Sequence, residues 1–319
     1  MRAEEVHADG RHRIMRFPAP SGGDKARLLV SFESTPSMRE EFSPPRYPRF
    51  AERLGMAVLT VQTLRRDWFI SPKTVDLATA LAGLSKPYQD VTSTGFSMGA
   101  YAALMLSRVT RARRVLAVSP QFSLDPRVAP FDQGRHGKFL RIGHNMPQPQ
   151  EVGDTKVEGA LIYDPVIATD RAHAALVAQH FPRLRRIALP YGGHPATGPL
   201  ADRGQLGRVA ELISSDQLDA QMIRQVYRLV RRASPRYQLN LALALSQRHP
   251  KRAAPELTRI AAAAFLPPHL RFEAGLRLLE LDHPRAPQIL HRLLAQTRDP
   301  PASWLRRIRM VIGAYPQPF

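Results

Sequence analysis

The chain has 319 residues, 44% of them hydrophobic, enough for one large domain or two ordinary ones with a substantial core, and this excludes wholesale disorder. It has no cysteine, which excludes a disulfide framework and a thiolate nucleophile. The formal charge of +19 is carried largely by arginines spread along the whole length, as in Arg111–Arg114, Arg183–Arg186 and Arg306–Arg309. That spread reads as solvated surface charge rather than a nucleic-acid footprint, so nucleic acid is not an expected partner. The first sixteen residues are polar with no apolar signal core, and no run approaches a membrane-spanning length. The expected location is the cytoplasm.

In chain order, Arg27 to Glu33 is a short apolar run that predicts a buried strand. A proline-rich stretch from Ser43 to Pro48 precedes a helical segment near Phe50 to Leu54, which Gly55 ends. Met56 to Gln62 predicts the next strand, Leu77 to Leu84 a helix, Val91 to Phe96 a strand and Met98 to Thr110 a helix. Further strands are expected at Arg114–Ser119, Val157–Tyr163 and Arg186–Pro190, with helices at Asp170–Phe181 and Gln205–Ser214. This alternation predicts an α/β domain with a mostly parallel sheet covered by helices on both faces. Pro120 to Gly153, rich in proline and glycine, reads as a long irregular segment rising from the edge where such sheets bind ligands.

After residue 214 only helical periodicity remains: Gln217–Arg232, Arg236–Gln247, Ala253–Phe265, Leu270–Leu281, Ala286–Gln296 and Ser303–Ile312. The expected organisation is therefore an α/β domain over 1–214 and a helical domain over 215–319. His249-Pro250 and His283-Pro284 lie 34 residues apart, as do Leu245 and Leu279, a spacing that resembles tetratricopeptide-type helical repeats. A plain helical bundle fits equally.

Gly95-Phe96-Ser97-Met98-Gly99 stands between a predicted strand and an alanine-rich helix. A serine on such a sharp strand-to-helix turn exposes its hydroxyl above the sheet, and small neighbours let the backbone pass through the turn. To act as a nucleophile it needs a base, and the base needs an orienting acid. Asp164 follows one later strand and His194, in Tyr191-Gly192-Gly193-His194, follows the last. All three residue types thus fall at C-terminal strand ends, where open α/β sheets bind ligands.

With these motifs the chain resembles the α/β-hydrolase superfamily over roughly residues 12–214. The resemblance implies a serine hydrolase in which Ser97 attacks, His194 is base and then acid, and an aspartate orients the imidazole. Asp164 is the first choice of acid, with Asp170 and Asp125 as alternatives. It further implies an oxyanion hole from the Met98 N–H and a second donor at Ser34 or Thr35, although the lipase-type His-Gly-Gly-Gly motif is absent. An ester or thioester is the expected substrate, small or glycan-linked, with acyl transfer by the same intermediate open. No cofactor is expected, and His7, His12, His136 and His144 fit no metal-ligand spacing. Asp170 and His173 would share a helical face, and Trp68 reads either as a pocket wall or as a packed aromatic. The contrasting expectation is a hydrolase-like scaffold that binds a protein partner or an anionic polymer through its helical module and basic surface.

Overall fold

The computed structural model describes residues 3–24, 26–34, 40–143, 145–214 and 218–313. It forms two compact units, Met1–Leu229 and Val230–Phe319. The first is built on an eight-stranded sheet: β1 (Glu4–Ala8), β2 (His12–Phe17), β3 (Arg27–Phe32), β4 (Ala57–Thr63), β5 (Asp90–Phe96), β6 (Arg114–Val118), β7 (Glu158–Tyr163) and β8 (Leu184–Ala188). The spatial order is β1-β2-β4-β3-β5-β6-β7-β8. Strands β3 to β8 run parallel, whereas β1 and β2 form an antiparallel edge on β4.

The six parallel strands are the six read from the sequence, and the reason they were legible is burial. Every residue of β6 is buried, as a strand covered on both faces must be, so it reads as a continuous apolar run. Strand β2 went unread because arginines with local partners interrupt its apolar residues, and β1 because only Val6 and Ala8 in it are apolar. Arg13 of β2 donates to Gln62 Oε1 at 2.7 Å, and Arg16 pairs with Glu4 across to β1 at 2.6 Å.

The helices of this unit are α1 (Arg49–Arg53), α2 (Thr74–Ser85), α3 (Met98–Met105), α4 (Gln133–Arg141), α5 (Pro149–Val152), α6 (Ala168–His180), α7 (Gly198–Asp202), α8 (Leu206–Ser214) and α9 (Ala220–Arg231). All eight residues of α3 are buried, which requires its small side chains: Gly99, Ala100, Ala102 and Ala103. A helix apolar all round belongs in a core rather than on a surface. The Pro120–Gly153 segment is not irregular throughout, since α4 and α5 lie within it. Glycines at 134 and 137 masked α4, which is secured by its flank rather than by propensity.

That flank is Asp132. Its carboxylate meets His173 Nε2 at 2.9 Å and Arg135 at 2.9 Å, and both Asp132 and His173 are buried. The Phe122 N–H donates to His173 Nδ1 at 3.2 Å, so the imidazole proton sits on Nε2 and points at Asp132. Burial alone pushes the Asp132 carboxyl up, but the His173 hydrogen bond and the Arg135 charge outweigh it and hold the group below the ordinary carboxylate range. A lowered carboxyl contributes stability above about pH 4, lost as pH falls through the folded value. Asp132→Asn is therefore expected to cost about 1–3 kcal/mol at pH 7 and to flatten the acid limb of the stability profile. Urea unfolding at pH 7 and pH 3 measures both.

The boundary between units lies at 229/230, not at the 214/215 read from the sequence. The composition does change at 214, yet α9 docks on the sheet-bearing unit. Tyr227 Oη donates to Pro190 O at 2.7 Å, and Arg224 reaches Arg186 O at 3.1 Å.

The second unit contains α10 (Pro235–Arg248), α11 (Pro250–Ala262), α12 (Pro268–Glu280), α13 (Ala286–Gln296) and α14 (Ala302–Gly313). Proline at a first helical position opens α10, α11 and α12, where its missing N–H costs nothing. Leu239, Ala253, Leu257, Ile260 and Leu278 form its core, and Phe272 stacks on Trp304 with centroids 4.3 Å apart. The 34-residue spacing places His249 between α10 and α11 and His283 between α12 and α13. Among the described residues no helix is long and apolar enough to cross a membrane.

Candidate active site

The turn from β5 into α3 bends at Ser97, whose φ of 52° and ψ of −118° lie outside the ordinary regions for an L-residue. Such a conformation costs about 1–3 kcal/mol and persists only where its surroundings enforce it. Here the Ser97 N–H donates to Val118 O at 2.8 Å, and two glycines admit the turn. A Cβ on Gly95 would collide with the Gly99 carbonyl and stand 2.6 Å from Ala100 N. One on Gly99 would stand 2.5 Å from Phe32 O and 2.7 Å from Glu33 O. The pentapeptide is thus a steric requirement of this crossing.

The loop after β8 brings His194 over the turn. His194 Nε2 lies 2.8 Å from Ser97 Oγ, and Nδ1 lies 2.9 and 3.0 Å from the two oxygens of Asp170. A carboxylate only accepts, so Nδ1 carries the proton and Nε2 is left to accept from the serine hydroxyl. Asp170 stands in the first turn of α6, and is 3% exposed.

Asp164, the first choice of acid from the sequence, does not meet His194. Its carboxylate accepts three backbone N–H groups: Val166 at 2.9 Å, Tyr191 at 3.1 Å and Gly193 at 2.9 Å. It therefore shapes the loop that carries the histidine instead of touching the ring. Burial pushes its carboxyl above the usual range, the three N–H groups pull the other way, and the nearby Asp170 charge adds to the rise. Asp125 is also elsewhere, gripped by the Arg127 guanidinium at 2.6 Å. The backbone of the histidine loop is as constrained as the serine turn, because a Cβ on Gly192 would collide with the Ala196 carbonyl.

Of the expected oxyanion donors, the Met98 N–H opens α3, where a first-turn N–H has no intrahelical acceptor. Ser34 follows β3, two residues after Phe32, whose carbonyl packs on Gly99. Thr35 lies outside the described residues, as does His144. His12 bonds Asp9 at 3.1 Å and stacks on Phe69, and His136 meets Ala129 O at 3.1 Å. Among the described residues no group of three or more acidic or histidine side chains could hold a metal ion.

Sequence reasoning missed Gln121. This side chain is 1% exposed, with Nε2 at 3.2 Å and Oε1 at 3.3 Å from Ser97 Oγ. Trp68 Nε1 donates to its Oε1 at 3.1 Å, so Trp68 is a buried part of the site's support, one side chain removed from the serine. The available signal was positional: Gln121 is a polar residue just past the C-terminal end of β6, the edge where Ser97, Asp170 and His194 also gather. Lys138 of α4 covers the Trp68 ring, its ammonium 5.5 Å from the centroid. Burial and the charges of Arg135 and Arg66 hold that ammonium below its ordinary value.

A parallel sheet in this order, flanked by an antiparallel edge and carrying a serine at the turn after β5, decides the architecture. The fold is that of the α/β-hydrolases. Solved structures similar to this chain include Est1E from Butyrivibrio proteoclasticus, at 12% identity over 67% of this chain and 98% of that one, with a TM-score of 0.49. The capsule O-acetyltransferase of Neisseria meningitidis serogroup A matches at 11% identity over 58% and 85%, with a TM-score of 0.43. An alpha-beta serine hydrolase homologue from Coxiella burnetii matches at 14% identity over 68% and 97%, with a TM-score of 0.40. No family model matches the sequence, and no curated protein does.

Proposed function

We propose that the protein is a serine hydrolase acting on a carboxylic ester or thioester, with Ser97, His194 and Asp170 as its catalytic triad. The observation that carries the reading is the unbroken relay from Ser97 Oγ to His194 Nε2 at 2.8 Å and from Nδ1 to Asp170 at 2.9 Å. In acylation the Ser97 oxygen bonds to the acyl carbon as its proton passes to His194 Nε2. The leaving alcohol or thiol then takes that proton, and Asp170 stabilises the imidazolium between the two transfers. Met98 N–H, with a second donor near Ser34, would receive the oxyanion. Water then enters by the reverse sequence, and a sugar hydroxyl in its place would make the same machinery an acyltransferase.

Labelling with a fluorophosphonate probe tests the reading. The native protein is expected to take one label, and Ser97→Ala none, with ester turnover falling by about 10,000-fold or more. Equal labelling of Ser97→Ala would remove the serine from its role. An unlabelled native protein that bound an anionic polymer with steep salt dependence would instead favour the scaffold reading, motivated by the charge of +19.

A further inference from the structure

Gln121 is a buried primary amide in contact with the nucleophile, and its direction is set from outside the triad. An indole N–H can only donate, so the 3.1 Å contact from Trp68 Nε1 fixes the oxygen of the amide toward Trp68. The NH2 group is then the other terminal atom, 3.2 Å from Ser97 Oγ, 3.4 Å from Ser119 O and 3.5 Å from His194 Nε2, while Oε1 stands 3.3 Å from the same Oγ. With one hydrogen directed at the Ser119 carbonyl, the other is available to Ser97 Oγ. The serine's own hydrogen goes to its shortest acceptor, His194 Nε2 at 2.8 Å.

The backbone is distorted to deliver the tryptophan. Trp68 and Phe69 are consecutive non-glycine residues at φ of 55° and 59°, in the left-handed region that side chains disfavour. The turn is held by Asp67, which is 2% exposed. Its carboxylate accepts the Phe69 N–H at 3.1 Å and Arg11 Nε at 2.6 Å. Strain maintained at a buried side chain that aims another at the nucleophile points to use, since an ordinary core tryptophan needs no such turn.

We propose that Gln121 is a further catalytic residue whose side-chain amide donates a hydrogen bond to Ser97 Oγ, chiefly to promote the departure of that oxygen from the acyl-enzyme. This rests on the reading of Ser97 as the nucleophile. In deacylation, water bonds to the acyl carbon and gives a proton to His194 Nε2. The tetrahedral intermediate then breaks its bond from carbon to Oγ, and the electron pair goes to Oγ, which regains the proton from His194. Negative charge builds on Oγ during that break, where the Gln121 N–H meets it. In acylation the same donor draws on the lone pairs of the attacking oxygen, so its help there is offset. It also keeps the Ser97 hydrogen turned to His194.

Pre-steady-state turnover of p-nitrophenyl acetate separates the two steps, the burst reporting acylation and the following rate deacylation. Gln121→Met is expected to slow deacylation about tenfold while acylation changes by about threefold or less, so the acyl-enzyme accumulates. Trp68→Phe, which releases the amide, should shift the partition the same way by a smaller factor, and stands alone if Gln121→Met fails to fold. Gln121→Glu puts a carboxylate beside His194 and should move the acid limb of the kcat/KM profile to higher pH, whereas Gln121→Met leaves it in place. Deacylation unchanged in folded variants, both steps slowed in equal proportion, or an acid limb unmoved in Gln121→Glu would each overturn the proposal. Native protein that takes no fluorophosphonate label overturns the serine reading itself. Labelled protein with an unaltered partition overturns only the role of Gln121.

Discussion

Asp170→Ala is expected to lower ester turnover by about 10,000-fold while leaving the fold intact. The size follows from the role proposed for the carboxylate: to keep the imidazole proton on Nδ1, so that Nε2 can accept from Ser97, and to stabilise the imidazolium that would form. Both oxygens face Nδ1, at 2.9 and 3.0 Å. Asp164→Asn should behave differently. Its carboxylate accepts backbone N–H groups from both oxygens, so an amide nitrogen in either place sets N–H against N–H. The expected outcome is a loss of about 1–3 kcal/mol of stability, with a smaller fall in kcat as the histidine loop relaxes. Asp125→Asn, which weakens the pair with Arg127 and touches no member of the relay, should leave turnover unchanged. Kinetics and thermal melts on the three variants separate the roles. If Asp164→Asn were stable but inactive while Asp170→Ala kept its turnover, the assignment of the acid would be reversed.

The contrast between Asp164 and Asp170 also shows where the sequence stops being readable. The parallel strands, the serine turn and the histidine loop were legible because each imposes a local demand: a continuous apolar run, or glycines where a Cβ has no room. The acid imposes none. Both aspartates follow β7 within seven residues, and only the path of the chain into α6 decides which one faces the ring. The same holds for Gln121, whose meaning comes from Trp68, 53 residues away. Strand β2 was hidden by arginines that find partners only once the sheet is assembled. For α9 the composition pointed to the helical unit, and two hydrogen bonds to backbone carbonyls place it with the sheet.

Gly99→Ala is the second substitution with a large expected effect, and it separates scaffold from chemistry. The added Cβ would meet the carbonyl oxygens of Phe32 and Glu33 at 2.5 and 2.7 Å, backbone atoms at the end of a strand paired on both sides. Neither can yield without moving β3, so the start of α3 must retreat instead. That retreat carries the Met98 N–H and Ser97 with it. An error of about 1 Å at a reacting group costs on the order of 100-fold in rate, and forced overpacking costs about 1–3 kcal/mol. Gly99→Ala is thus expected to lose both stability and fluorophosphonate labelling rate, whereas Asp170→Ala loses rate alone. Gly134→Ala, in α4 where a Cβ meets nothing within 4 Å, serves as the control and should cost nothing. If Gly99→Ala matched that control in melting temperature and labelling, the tight crossing of α3 over β3 would not be what holds the serine in place.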